Sequence, residues 1–424
     1  IRFLAFLVIA VLFSSFVVVV DNRFLSPLFD KTTPVQRIVH DHAPLLHSVA
    51  PFSPSTEGPL SQQLLVVSHS GLTTSIAYSD IPDLDSGRIP FPMSKEDHYA
   101  MGERKTVLVF SPEIVDESLL DQSIRSLVEV LQSPTNRLYL DIVLFSSYSS
   151  EMQETWKRMF ATLSDCSIFF LPKISDPWSS QLNSYIESEH IEQLIFVAQP
   201  VRFALDALEY AAAASYILWN DLSLYCVSLY NDIATTPLSL QPQAVERRDV
   251  SAGTTVLLTS SLLRHHLTEL ADLPFDEWIA FPAVRRARFC LTPEVSRVYP
   301  LVRRKLPFVT AEALELCEAE LFVPFLEMDF RYLYRSNYEK ELVKVLSEAV
   351  VIQSVTDITG ARKGGVYRVV YDEVSLASIV EWIGIHSISK GGLFSWMYRG
   401  VAHFSFYSIQ LYVTCSSMFP CDNS

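Results

Sequence analysis

The sequence predicts an α/β protein: a mainly parallel sheet with helices on both faces, followed by a small α+β unit. Two patterns carry that expectation. From Lys105 onward, short apolar runs alternate with amphipathic stretches of helical length, the alternation that builds parallel sheets with crossover helices. Towards the C-terminus the helical SLASIVEWIG separates VYRVVYD from YRGVAHFSFYSIQLYV, which reads as the smaller unit. At 424 residues the chain is long enough for two domains with appendages.

In order, the strand-like runs and helices are TVLVF (106–110), ESLLDQSIRSLVEVLQS, LYLDIVLF (138–145), EMQETWKRMFATL, CSIFFLP and a helical segment near Gln181. LIFVA, a helix from about Arg202 to Tyr216, and LSLYCVS (222–228) follow. After Val227 the alternation loosens into TTVLLT (254–259), SLLRHHLTELA and a mixed segment through Phe330. No internal repeat is visible. The glycines of TGARKGGV (359–366) lack the spacing of a phosphate-binding loop and read as a hairpin turn. Folds of this class bind ligands beyond the carboxyl ends of their strands. LIFVAQPV (194–201) therefore ends where chemistry is expected, yet its last positions, Ala198, Gln199 and Pro200, carry no charge.

The first twenty residues, IRFLAFLVIAVLFSSFVVVV, are long and apolar enough to span a hydrocarbon core of roughly 30 Å as a helix. No small-residue cleavage pattern follows, so they read as an uncleaved signal anchor. Residues 21–103 are broken repeatedly by proline and read as an extended stem, in which LLVVSHSGLTTSIAY could form an isolated strand pair. His40 and His42 lie in that stem without further ligands and read as solvated. The remaining expected boundaries are a main domain at 104–345, a small domain at 346–413 and a tail at 414–424. A net charge of −15 and a pI near 5.1 exclude a nucleic-acid partner, whose phosphates reward a basic surface.

Six cysteines, Cys166, Cys226, Cys290, Cys317, Cys415 and Cys421, show no C-x-x-C spacing, so pairing in an oxidising compartment is the simpler reading. Two basic clusters, Arg285 with Arg286 and Arg288, and Arg303 with Arg304 and Lys305, read most simply as solvated faces. Asp276 and Glu277 in FDEW read from spacing alone either as acidic surface residues beside a buried Trp278 or as an acid–base pair.

LYCVSLYND (224–232), LPFDEWIAF (273–281), RFCLTPEVSRV (288–298) and DFRYLYRSNYEKEL (329–342) occur in the order and rough spacing of the N-acetylglucosaminyltransferase I family, and YRGVAHFSF (398–406) resembles its C-terminal strand. The resemblance spans roughly Val107 to Val413. It implies a GT-A nucleotide-sugar fold with a small C-terminal domain, in a single-pass type II protein of the Golgi membrane whose bulk lies in the lumen. Relatives transfer GlcNAc from UDP-GlcNAc to the 2-hydroxyl of a mannose on protein glycans, with inversion and with manganese.

The same resemblance assigns roles residue by residue. Relatives have Glu-Asp-Asp where this chain has Ala198, Gln199 and Pro200; the last acid holds the metal, so no metal cofactor is expected here. Cys-Asp-Arg after the first strand is replaced by Ser111, Pro112 and Glu113, Gln-Asp after the second by Ser146 and Ser147, and a serine near Pro307 is absent. Glu277 matches the general base and Asp276 its neighbour; Glu277 is one methylene longer than the family's aspartate. Cys226 and Cys290 fall where relatives have a bridged pair. Arg303, Arg304 and Lys305 align near the loop that closes over the nucleotide, where side-chain cations can offset a leaving diphosphate. Three functions are open: a divergent, metal-independent transferase using a UDP-sugar and a glycoprotein glycan, a non-catalytic relative that binds a glycan or a partner protein, or a luminal structural subunit of a membrane complex.

Overall fold

The computed structural model describes residues 105–415 apart from short internal segments, of which 303–321 is the longest, together with strands at 63–67 and 73–77. The apolar stretch 1–20, most of the stem with His40 and His42, and Arg303, Arg304 and Lys305 lie outside the described residues. Among those described, no helix is long and apolar enough to cross a membrane. Within the stretch read as a stem, β1 (Gln63–Val67) and β2 (Thr73–Ala77) pair antiparallel, Gln63 opposite Ala77.

The main sheet contains β3 (Thr106–Phe110), β4 (Leu140–Phe145), β5 (Ile168–Leu171) and β6 (Gln193–Val197). A short β7 (Val201–Phe203) leaves it, and β8 (Leu224–Ser228), β9 (Val245–Arg248), β10 (Thr255–Thr259) and β11 (Phe289–Pro293) complete it. The order across its eight strands is β5-β4-β3-β6-β10-β8-β11-β9. Strands β3, β4, β5 and β6 are parallel, as are β8 and β11, but β10 runs against β6 and β8, and β9 against β11. The sheet is therefore mixed rather than mainly parallel. A strand buried on both faces reads as one continuous apolar run in either direction, so TTVLLT gave no sign of its orientation.

Alternating side chains feed two cores. Leu108, Phe110, Ile195 and Val197 join α1 (Glu117–Leu131), α2 (Ser150–Phe160) and, beyond α3 (Trp178–Ser188) in the chain, α4 (Ala207–Asn220). Val107, Val109, Leu194 and Phe196 point the other way, towards α3, α5 (Ser260–Leu270), α6 (Phe275–Trp278) and α7 (Pro282–Arg285). Helix α1 starts at Asp116, whose carboxylate accepts from the amides of Ser118 and Leu119 at 3.0 and 3.1 Å, a cap worth about 1 kcal/mol.

The helix expected from Arg202 begins instead at Ala207. Residues 201–203 alternate buried, exposed, buried, and β7 pairs antiparallel with β12 (Val298–Pro300). Two hydroxyls of α1 complete that arrangement: Ser123 accepts from the Val201 amide at 2.9 Å and Ser126 from Phe203 at 3.2 Å.

A second sheet follows α8 (Arg335–Glu348). It comprises β13 (Val350–Ile352), β14 (Val366–Val370), β15 (Met397–Tyr398), β16 (Val401–Phe406) and β17 (Ile409–Thr414), in the order β13-β14-β17-β16-β15, with α9 (Glu373–Ile383) inserted after β14. This is the small α+β unit; YRGVAHFSFYSIQLYV divides into three strands. Arg399 and Gly400 both have positive φ, 49° and 76°, so the β15–β16 link is the two-residue turn that matches strand twist.

Cys226 and Cys290 face one another on parallel β8 and β11 and form a disulfide, Cα to Cα 4.7 Å. Cys415 is also disulfide-bonded. Where α8 and β15 meet the main sheet, fully buried Arg247 donates to Asp221 at 2.7 Å and to the Leu333 carbonyl at 2.8 Å, its guanidinium facing the adjoining rings of Phe289 and Tyr398. Asp221 also accepts from the Arg335 amide at 3.0 Å and the Ser223 hydroxyl at 2.5 Å. Burial pushes the Asp221 carboxyl up, but the Arg247 charge and these hydrogen bonds outweigh it and hold it below its ordinary range.

Candidate functional site at the carboxyl ends of the strands

From β3 the chain winds outward through β4 and β5, then returns to pair β6 on the other side of β3. The winding reverses between β3 and β6, and such a switch point opens a crevice beyond the strand ends that serves as the ligand site of open α/β sheets. The Ser111 amide donates to the Val197 carbonyl at 2.9 Å, tying the two ends together. Ser111 is buried, and its hydroxyl accepts from the Glu113 amide at 3.2 Å. Next to it, Tyr148 donates to the Ile114 carbonyl at 2.9 Å, joining the loops after β3 and β4. Burial pushes the Tyr148 phenol up to about 12, so it stays a neutral donor at physiological pH. Ser146 lies outside the described residues.

The positions singled out at the end of β6 are secured by their backbones. The Ala198 amide donates to the Thr254 carbonyl at 2.9 Å, and the Pro200 carbonyl accepts from Leu301 at 2.9 Å. The Gln199 amide group donates to the Thr254 hydroxyl at 3.2 Å. None of the three supplies a carboxylate, and among the described residues no group of three His, Cys, Asp or Glu side chains could hold a metal ion. A hard divalent cation takes oxygen ligands, with carboxylates foremost. This donor set does not fit manganese.

The FDEW segment forms α6 and docks on the last residues of β6. Phe275 stacks on Phe196 at 4.2 Å, Trp178 packs on the same ring at 5.8 Å, and Ala198 contacts the same apolar cluster. Trp278 is buried, its indole donating to the His266 carbonyl at 3.1 Å. Asp276 is half-buried and Glu277 exposed. Sequence-adjacent aromatics thus anchor the helix that carries the two carboxylates against Phe196 of β6, and Ala198 packs on the same apolar cluster.

Of the first basic cluster only Arg286 is exposed. Arg285 donates to the Asp249 carbonyl at 3.4 Å, and Arg288 to the carbonyls of Arg285 and Val284 at 3.2 and 3.1 Å. The reading of this cluster as a solvated face is corrected: backbone carbonyls at the end of a short helix recruit the guanidiniums inward. Desolvation pulls Arg288 down to about 10. For the second cluster, the described chain stops at Val302, just after the Leu301–Pro200 bond.

Sequence reasoning missed three contributors. Arg202, exposed and 5.0 Å over the Tyr299 ring, stands two residues beyond Pro200, in a segment assigned to a helix. Asp206 pairs with buried Arg297 at 2.9 Å and accepts from the Val323 amide at 3.0 Å; burial outweighs that cation and holds the Asp206 carboxyl above its usual range. Asn231 donates to the Glu294 carbonyl at 2.8 Å, and its amide donates to the Ser296 hydroxyl at 3.0 Å, locking the loops after β8 and β11. The aspartate ahead of an apolar helix was a signal for Asp206; the other two depend on distant pairings.

Fold and site define an α/β protein whose sheet reverses its winding between β3 and β6 and whose β6 leads into Ala198, Gln199 and Pro200, without a carboxylate. The GNT-I family model matches residues 172–420, more than half of the chain, and the chain belongs to that family. An Arabidopsis thaliana alpha-1,3-mannosyl-glycoprotein 2-beta-N-acetylglucosaminyltransferase is 23% identical over 237 residues, 55% of this chain and 53% of the relative; the chain thus spans about half the length of the curated relative it matches. Among solved structures, S. aureus TarS 1-349 superposes with a TM-score of 0.32 at 12% identity, covering 46% of this chain and 60% of that one. The mannosyltransferase PcManGT from Pyrobaculum calidifontis, in complex with GDP-Man and Mn2+, gives 0.32 at 15% identity, covering 45% and 54%. The family assignment rests on the sequence match alone.

Proposed function

We propose that this protein is a divergent GlcNAc-transferase-like enzyme that handles a UDP-sugar without a metal ion and uses Glu277 as general base towards a glycan hydroxyl. The observation that supports this reading is the docking of α6 on β6, with Phe275 stacked on Phe196 at 4.2 Å and Glu277, on the same short helix, exposed. In the proposed step the Glu277 carboxylate takes the hydroxyl proton, the oxygen bonds to the anomeric carbon, and the sugar–diphosphate bond breaks to release UDP. Arg303, Arg304 and Lys305 would offset the charge on the departing diphosphate. Their attachment just past Leu301, which is bonded to Pro200, supports that role, and Arg202 adds a cation nearby.

A calorimetric titration of UDP-GlcNAc into the luminal region tests the donor half. Affinity is expected to be the same in EDTA as with added manganese; a manganese-dependent affinity would overturn the reading. A second reading, a non-catalytic relative binding a glycan or a partner protein, is favoured by one observation: the polar group of Gln199 is already engaged by Thr254. It predicts no UDP-sugar binding at millimolar concentration.

The proposed location is the Golgi membrane, with residues 1–20 as anchor and the bulk in the lumen. The length and apolarity of that stretch support it. In intact microsomes the bulk should resist added protease until detergent is present; digestion without detergent would reverse the topology.

A further inference from the structure

The seam between edge strand β9 and the β15–β16 hairpin is built from buried ionisable groups that the proposed chemistry does not use. At one end the Asp249 carboxylate accepts from the Arg399 amide at 2.9 Å, and the Asp249 amide donates to the Met397 carbonyl at 2.7 Å. Arg399 is the non-glycine residue held at φ 49° in the turn, a conformation unfavourable for an L side chain. Two further bonds hold that turn: Arg399 to Glu339 of α8 at 2.7 Å, and the Tyr371 hydroxyl to the Gly400 carbonyl at 3.1 Å. At the other end His403 of β16 lies between Glu246 of β9 and Gln410 of β17, and stacks on Tyr412 at 4.6 Å. Arg248 pairs with Glu246 and donates to the Trp396 carbonyl.

We propose that this seam is a proton-operated latch: protons taken up at Asp249 and His403 fasten the hairpin to the eight-stranded sheet, and their release loosens it. Asp249 is faced by Arg248 on its own strand, Arg285 of α7, Arg399 of the turn, Tyr225 of β8 and Tyr371 beyond β14. Burial outweighs the Arg399 amide, which favours the ionised form, and these cations, and pushes the carboxyl up to about 6. His403 is faced by Glu246, Glu294 and Gln410; burial pulls the imidazole down, but Glu246 prevails and holds it above its ordinary range. Both groups therefore bind a proton more tightly in the closed seam than in water. Their contribution falls as pH rises, for Asp249 between 3.8 and about 6 and for His403 above 6.5. Glu246, held near 2 by Arg248 and His403 despite burial, stays ionised throughout that range.

Hydrogen exchange of the full chain, read by mass spectrometry on peptides covering 397–406 and corrected for intrinsic rates, is the test. Protection is expected to fall about tenfold or more between pH 5 and pH 8, since each unit of pKa difference is worth a factor of ten. Peptides from β3 and β4 should show no such fall. Asp249→Asn should remove the part up to about pH 6 and His403→Gln the part above 6.5. A flat wild-type profile, or an Asp249→Asn profile as steep as wild type, would overturn the latch. If a variant does not fold, the wild-type profile decides.

Discussion

On the proposed reading, replacing Glu277 by Gln is expected to lower sugar transfer by about a hundredfold to ten-thousandfold, the range typical of a general base, and to leave UDP-GlcNAc affinity as it was. The substitution keeps the side chain's size and removes its ability to accept a proton. Glu277 is exposed on α6, whose anchorage comes from Phe275 and Trp278, so stability should move by no more than about 0.5 kcal/mol. The measurement is kcat against KM with a mannose-terminated acceptor, beside a thermal melt. A loss in KM alone would assign Glu277 to acceptor binding, and transfer within threefold of wild type would remove it from the chemistry.

Arg247→Leu should destabilise the fold by about 3–5 kcal/mol, the cost of breaking a buried ion pair from one side. Arg247 and Asp221 are almost fully buried, and removing the guanidinium strands a carboxylate on which the Ser223 and Arg335 amides also converge. The sign of the pH response follows. In the native protein Asp221 sits below 3.8, so its contribution is present above that pH and is lost as pH falls through the folded value. In the variant the stranded carboxylate is relieved by protonation, so the deficit should narrow on acidification. Urea unfolding at pH 7 and pH 4.5 measures both, and a deficit independent of pH would mean that lost packing, not stranded charge, is responsible.

The sequence made part of this molecule legible, for identifiable reasons. Strands such as TVLVF and LIFVA and helices such as ESLLDQSIRSLVEVL announce themselves by local periodicity, and their order implied an α/β sheet. The antiparallel course of TTVLLT was hidden because direction leaves no mark on an apolar run. The strand Val201–Phe203 was hidden because three residues carry too little pattern, and its existence depends on Val298–Pro300, almost a hundred residues away in the chain. At the site, the lack of charge at Ala198–Pro200 could be read directly, as could the paired acids of FDEW. That α6 packs on β6 rests on the Phe275–Phe196 stack, a contact that neither segment reveals alone.

The anchorage of Ala198 and Pro200 has a consequence for the engineering of the protein. The strand end is fixed by main-chain bonds to Thr254 and Leu301 and by the Gln199 side chain, while Ala198 packs on an apolar cluster and Pro200 is buried, so a carboxylate placed at 198 or 200 would be partly desolvated. An acid at 199 would replace the amide that donates to Thr254, and position 200, which aligns with the metal-holding acid of relatives, would exchange the fixed φ of proline for a freer backbone beside the β7–β12 ladder.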